Sequence, residues 1–175
     1  MGLFSRRSTE KRAETDGEPG RGATPVEASP VELPEDGRPV SAPLSEVERS
    51  RIARGLDALA ARGIDVDDLA AIGAAYDLAF ADARGGSGQG AAEAVELFGV
   101  AIGEHLARHS ARRWGVVTDV FGTDLGLTDA GGDTVIVPHN LVSARWMRRE
   151  TGWIPGVVGH LVTLRPAPVR PRDET

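Results

Sequence analysis

Histidines and carboxylates are the residues of this chain whose types and spacing could do chemistry. His105 and His109 stand four residues apart in a stretch with helical periodicity, so their imidazoles would share one face and could bind one metal ion. A zinc protease needs a glutamate directly after the first histidine, whereas Glu104 precedes it, so the H-E-x-x-H pattern is absent. His139 and His160 could join a site only through the fold. The alternative is a histidine pair at a helix C-terminus, where the dipole favours a protonated imidazole.

Three acids form a second candidate site. Asp119 falls near a strand end and Asp124 just after a turn, so two carboxylates across a hairpin could act as an acid/base pair, with Glu104 as a third member. The alternative is structural: both aspartates would bond to turn backbone amides, and Glu104 would pair with an arginine. The candidate partners are Arg108, Arg112 and Arg145. Asp129 and Asp133 flank a glycine pair and are predicted to be turn residues.

A small basic patch is the third candidate. Arg145, Arg148 and Arg149 lie on one predicted helix, bordered by Trp146 and Trp153. Arginine and tryptophan are enriched where proteins bind one another, so Arg145, Trp146, Arg148 and Arg149 are a candidate partner surface. The alternative is that Trp146 packs in the core while the arginines are solvated or paired with a nearby glutamate.

Several common chemistries are not supported. The loop GGSGQG precedes a helix, but it follows a helix instead of a strand and no Lys-Ser/Thr pair comes after it. The context of a dinucleotide-binding or P-loop phosphate site is therefore missing, and the loop is predicted to be a flexible linker. No G-x-S-x-G motif occurs, which leaves a hydrolase serine unsupported. Cysteine is absent, which removes disulfides, thiol nucleophiles and thiolate metal sites. We expect no cofactor and no metal.

The length and net charge of the chain exclude some classes of binding partner. The chain has 175 residues and a net charge of −6, which suits one domain and disfavours binding to nucleic acid. The first residues lack the apolar core of a signal peptide, and no apolar run approaches the roughly 20 residues that span a bilayer. We therefore expect a cytoplasmic protein without a membrane partner.

The organisation of the chain follows from composition. Residues 1–43 mix Pro, Gly and charged residues without periodicity and are predicted to be a disordered tail, as are residues 165–175. Residues 44–164 are predicted to form one domain.

Helices are predicted on both sides of a short run of strands. Ser45 and Glu48 form an S-x-x-E capping box at the head of the first helix, and Asp65 or Asp67 could cap a second. A third helix is predicted over residues 91–109. Its Gly99 and Gly103 each cost up to about 1 kcal/mol against alanine, so we expect a close approach of another backbone there and a central, buried helix.

The hydrophobic period then changes. WGVVTDVF, LGLT and TVIV have the residue types and alternation of strands, and GTD and DAGGD are turn signals between them. Two further helices are predicted after Pro138, the first of which ends at Gly152. The order of three helices, a three-stranded antiparallel meander and two helices predicts an α+β fold, since no strand-helix-strand crossover is visible.

One stretch resembles a known family. The residues that carry the resemblance run in order along about residues 91–150: Gly103-Glu104, Trp114, Val116-Val117, Asp119, Phe121-Gly122, Asp124, Pro138 and Arg145. Their order and spacing resemble a bacterial family known as domain of unknown function 3806. The resemblance implies an α+β fold and no established activity.

Two functions remain open from the sequence. The first is a non-enzymatic protein-interaction or regulatory module, acting as a monomer or weak homodimer with an unknown protein partner. The alternative is an enzyme or small-ligand binder that uses a carboxylate and histidine cluster. That cluster would comprise Glu104, Asp119, Asp124, His105 and His139.

Overall fold

The computed structural model describes residues 39–83, 88–120, 122–130 and 135–164, which contain five helices and one four-stranded antiparallel sheet. In chain order the elements are β1 (Val40–Ala42), α1 (Glu46–Ala61), α2 (Leu69–Asp82), α3 (Gln89–His109), β2 (Arg113–Asp119), β3 (Gly122–Thr128), β4 (Val135–Ile136), α4 (Pro138–Met147) and α5 (Ile154–Thr163). The mixture of helices and an antiparallel sheet is confirmed. The prediction of three strands is wrong, because β1 precedes the helices and adds a fourth strand.

Strand β1 is the element that the sequence did not reveal. It pairs antiparallel with β2, with Val40 opposite Thr118 and Ala42 opposite Val116, which places it at the edge of the sheet order β1-β2-β3-β4. It lies within residues 1–43, which are predicted to be a tail. Three residues are too few to show alternation. The predicted tails otherwise fall on residues 1–38 and 165–175, outside the described residues.

Helix α1 begins with the predicted capping box. The Ser45 hydroxyl accepts a hydrogen bond from the Val47 amide (3.2 Å), and the Glu48 carboxylate accepts one from the Ser45 amide (2.8 Å). These bonds satisfy amides that have no partner within the helix. In α2 the cap is Asp68, not Asp65 or Asp67, and its carboxylate accepts from the Ala70 and Ala71 amides.

Helix α3 lies at the centre of the fold, as predicted. It contributes the largest set of buried residues, including Phe98, Ile102 and Leu106, and it contacts the other four helices and strands β2 and β3. Gly99 and Gly103 admit close neighbours, but these neighbours are aromatic rings and not another backbone. The imidazole of His139 packs on Gly99, and the indole of Trp114 packs on Gly103.

The sheet positions its residues by simple alternation. Trp114 lies opposite Leu127 and Val116 opposite Leu125, and the two leucines are fully buried. Asp124 lies opposite Val117, at a position where side chains point to the other face. Strands β2, β3 and β4 pair antiparallel in the predicted order, with Asp119 and Gly122 closing the β2-β3 hairpin, and β1 extends this sheet to four strands.

The last two helices close the core. Helix α4 starts with Pro138 in its first turn, where a missing amide costs nothing, and it ends at Met147 and not at the predicted Gly152. Four aromatic rings then meet edge to face: Tyr76 contacts Phe98, Trp146 and Trp153 with centroid distances of 5.5–5.7 Å. These contacts fix α4 and α5 against α2 and α3.

Candidate functional site

Four charged or titratable side chains from four different elements meet beside α3. Arg51 of α1 forms a bidentate ion pair with Glu96 of α3, with Nε 2.7 Å from Oε1 and Nη2 2.5 Å from Oε2. Its Nη1 lies 3.5 Å from Oδ1 of Asp124 in β3. His139 of α4 lies behind the pair, with Nε2 3.5 Å from Oε2 of Glu96. We call Arg51, Glu96, Asp124 and His139 the ion cluster.

His139 is the most unusual member of the ion cluster. Its side chain is 4% exposed, and within the described residues neither ring nitrogen has a hydrogen-bond partner. Gly99 leaves room for the ring, because a β-carbon there would lie 2.5 Å from Cδ2 of the imidazole. A buried polar group without a partner is rare in proteins and requires an explanation.

The protonation states in the cluster follow from burial and from the arginine. Burial lowers the pKa of His139. This effect is larger than the rise in pKa that the Asp124 and Glu96 carboxylates cause. The hydrogen bond from Arg51 lowers the pKa of Glu96. The imidazole therefore stays neutral at pH 7, and Glu96 stays ionised.

An open groove of about 530 Å³ adjoins the cluster between α1 and α3. Arg51 and Glu96 line one end of it, so the groove and the ion cluster share two residues. Arg54 and Arg62 also line it and are exposed. The groove is lined by Arg51, Arg54, Gly55, Ala58, Arg62, Ala92, Glu93, Glu96 and Leu97. Small and apolar residues thus form its floor, and charged residues form its rim.

The groove exists because α1 carries small residues where it meets α3. A β-carbon at Gly55 would lie 2.9 Å from the Val100 methyl groups, so the glycine lets the two helices approach closely. Ala58, three residues further along α1, has a short side chain and lines the groove together with Ala92 and Leu97 of α3. A larger residue at Ala58 would occupy part of the groove.

The predicted acids Asp119 and Asp124 share a small cavity of about 170 Å³ with Asn140. Asp124 also accepts a hydrogen bond from the Leu125 amide (2.7 Å) and contacts Arg51. Glu104 does not line this cavity, and its two carboxylate oxygens are used elsewhere. The three predicted acids therefore do not converge on one cavity.

Glu104 belongs to a second polar cluster around Asp67. Its Oε1 accepts from Arg108 Nε (2.8 Å), and its Oε2 accepts from Trp114 Nε1 (3.2 Å). Arg108 in turn donates to Asp67 (3.0 Å), which also contacts Nε2 of His109 (2.9 Å). Glu104 thus has the arginine partner that the sequence predicts for a partly buried acid.

The rings of His105 and His109 lie close together, with centroids 4.4 Å apart. His105 is buried, and its Nδ1 donates to the Val66 carbonyl (2.8 Å). Burial lowers its pKa. In the parts of the chain that the structure describes, no three His, Asp or Glu side chains are grouped to hold a metal ion.

The predicted basic surface on α4 is divided by the fold. Trp146 is 5% exposed and packs against Tyr76, so it lies in the core and not on a surface. Arg145 stacks over the Trp153 ring, with Cζ 4.5 Å from its centroid. Arg148 and Arg149 are exposed, and Met147 beside them is 74% exposed.

Sequence reasoning missed Arg51 and Glu96. They are 45 residues apart on two amphipathic helices, where charged residues usually face solvent. The sequence predicts His139 only as a possible metal ligand or as a member of a carboxylate and histidine cluster. A signal for its burial was present in Gly99, since a glycine inside a helix indicates that a neighbour approaches closely.

The arrangement defines a class of protein: an α+β domain with an antiparallel four-stranded sheet and a surface groove bordered by an ion cluster. Residues 83–156 match the model of a family described as a domain of unknown function (DUF3806), which confirms the resemblance. The matched segment holds Glu96, Asp124 and His139, whereas Arg51 and the rest of α1 precede it. No curated protein and no solved structure matches the chain. Among the described residues, no helix is both long and apolar enough to cross a bilayer.

Proposed function

We propose that the chain is a non-enzymatic protein-interaction module and that a partner docks in the groove between α1 and α3. The observation that carries the proposal is the groove itself, with an apolar floor and two exposed arginines, Arg54 and Arg62. Neither arginine forms an ion pair with a carboxylate of the described residues, although the charge of Arg54 helps to lower the pKa of Glu96. An apolar floor with charged groups at its edge is the usual composition of an interaction site.

The charges around the groove favour binding over catalysis. A general acid or base works best with a pKa near the working pH. Glu96 is held ionised by two hydrogen bonds from Arg51, which lower its pKa. His139 is buried behind the ion pair, where a substrate in the groove cannot reach it. These residues stabilise the wall of the groove and do not offer a proton to its contents.

A bulky residue in the groove tests the proposal. Ala58→Trp fills the groove, whereas Ala60→Trp places the same ring at an exposed position of α1 outside it. Each variant and the unmodified chain would be immobilised on a resin and incubated with a native lysate. The proteins that each retains would be identified by mass spectrometry. We expect Ala58→Trp to lose a protein that the other two retain. If all three retain the same proteins, the groove is not the docking site. Equal melting temperatures would show that both variants fold.

The end of α4 is a second candidate surface. Met147 is 74% exposed and is followed by the exposed Arg148 and Arg149. The three residues form a small patch of one apolar and two cationic side chains. Arg145 would support this patch from its position on Trp153. Charge reversal of Arg148 and Arg149 in the same experiment separates the two surfaces, since it would remove a partner of α4 and leave a partner of the groove.

A further inference from the structure

We infer that the groove receives an acidic amphipathic helix of a partner protein, with two carboxylates on Arg54 and Arg62 and an aliphatic side chain over Ala58. The inference rests on the proposed function and specifies the chemistry of the partner. It is derived from the charge, the spacing and the floor of the groove.

The charge of the α1 wall is only partly neutralised. Arg51 is satisfied by Glu96 and Asp124, whereas Arg54 makes no ion pair or hydrogen bond with any described residue. Arg62 donates through Nη1 to the Ala58 carbonyl (2.9 Å), which is a neutral acceptor on its own helix. A carboxylate is a stronger acceptor for a guanidinium than a carbonyl is. The free positive charge on this wall therefore belongs to Arg54 and Arg62.

The spacing of these arginines sets the spacing of the carboxylates. Arg54, Ala58 and Arg62 follow each other at intervals of four residues, so the two arginines are about 12 Å apart along the axis of α1. Ala58 lies midway between them and leaves the floor of the groove open. A second helix laid along the groove has the same rise per residue. Two acids eight positions apart with a leucine midway would match all three positions.

The opposite wall restricts the partner further. Glu93 of α3 is exposed and lines the groove across from α1. Its charge repels a ligand that is negative on every side, such as single-stranded nucleic acid. The groove therefore selects a ligand with one acidic face, which an amphipathic helix provides.

Labelled synthetic peptides and the full chain provide the test. The probe is an alanine-rich helical peptide of about 20 residues with two glutamates eight positions apart and a leucine midway, measured by fluorescence anisotropy. A matched peptide has the same composition, with the second glutamate moved to the opposite face. We expect the first peptide to bind and the second to bind at least about fivefold more weakly. Absence of binding, or equal binding of the two peptides, would overturn the inference.

Charge reversal identifies the contacts. Arg54→Glu and Arg62→Glu should each weaken binding of the glutamate peptide about fivefold or more. Arg113→Glu, at an exposed position of β2 outside the groove, should leave it unchanged. A peptide with lysines in place of the two glutamates should bind the Arg54→Glu/Arg62→Glu chain better than it binds the unmodified chain. If Arg54→Glu and Arg62→Glu bind the glutamate peptide as tightly as the unmodified chain does, the assignment is wrong. Tighter binding of single-stranded DNA than of the peptide would also contradict it.

The two proposals fail in distinguishable ways. If Ala58→Trp removes a captured protein but the glutamate peptide does not bind, the groove is a docking site for a partner of different chemistry. In that case the inference is wrong and the proposed function stands. If Ala58→Trp removes nothing, the proposed function itself is wrong.

Discussion

The indole ring of Trp114 lies directly over the α-carbon of Gly103, in the space that a β-carbon at that position would fill. The same indole donates through Nε1 to Glu104, the next residue of α3 (3.2 Å). One helical turn earlier, His139 stands over Gly99 in the same way. Two glycines thus fix the distance from α3 to the sheet and to α4, which positions the ion cluster.

Gly103→Ala is expected to destabilise the fold, although alanine is the better helix former. The new methyl group overlaps the Trp114 ring, so the ring must move and its hydrogen bond to Glu104 is lost. We expect a loss of about 1–3 kcal/mol in the free energy of unfolding, measured by urea denaturation. Gly156→Ala is the matched control, since nothing lies within 4 Å of a β-carbon there. It should be neutral or stabilising, by up to about 1 kcal/mol. Equal effects would show that Trp114 does not occupy this space.

Stability should fall as the pH falls through the range where free histidine titrates. Burial lowers the pKa of His139 below its ordinary value of 6.5, while Glu96, Asp124 and Arg51 face the ring. Below pH 6.5 the unfolded chain therefore takes up a proton that the folded chain does not. The free energy of unfolding decreases by at most about 1.4 kcal/mol per pH unit for one proton. His105 contributes in the same direction.

Two variants test which histidine side chains cause this pH dependence of stability. His139→Gln should flatten the slope of unfolding free energy between about pH 7 and pH 5.5, because the titrating group is gone. His105→Gln should flatten the slope in the same direction, because burial also lowers the pKa of that imidazole. Identical slopes for the unmodified chain and His139→Gln would mean that the imidazole is not buried as described. Measurements above pH 5.5 keep Glu96, whose ordinary pKa is 4.5, about nine-tenths ionised or more in the unfolded chain.

The ion pair of Arg51 and Glu96 should stabilise the fold more than an ordinary surface pair. It is bidentate and only partly exposed, whereas Arg145 and Glu150 are 3.7 Å apart through one nitrogen. In a double-mutant cycle with Arg51→Met and Glu96→Gln, we expect a coupling energy of about 1 kcal/mol. The cycle for Arg145→Met and Glu150→Gln should give about 0.5 kcal/mol or less. A smaller coupling for Arg51 and Glu96 would mean that the cluster does not join α1 to α3.

Local patterns predicted the elements, and long-range packing determined the site. Two correct predictions depend only on neighbours along the chain: the capping box at Ser45 and the strand around Leu125 and Leu127. The meeting of Arg51 with Glu96 depends on how two helices are rotated against each other, which spacing does not specify. Strand β1 depends on pairing with a strand more than 70 residues later, and its three residues have no pattern of their own.

Trp146 separates the two interpretations of the α4 helix. As a surface residue it would be dispensable for folding, but the structure places it 5% exposed, edge to face with Tyr76 (5.6 Å) and Phe80 (5.0 Å). We therefore expect Trp146→Ala to lower the free energy of unfolding by about 3–5 kcal/mol, because the removed ring leaves a cavity among aromatic neighbours. Met147→Ala, one residue further on but 74% exposed, should change it by less than about 0.5 kcal/mol. Chemical denaturation of the two variants measures both values. Similar small losses for the two variants would mean that Trp146 is exposed. The binding role predicted from its residue type would then apply.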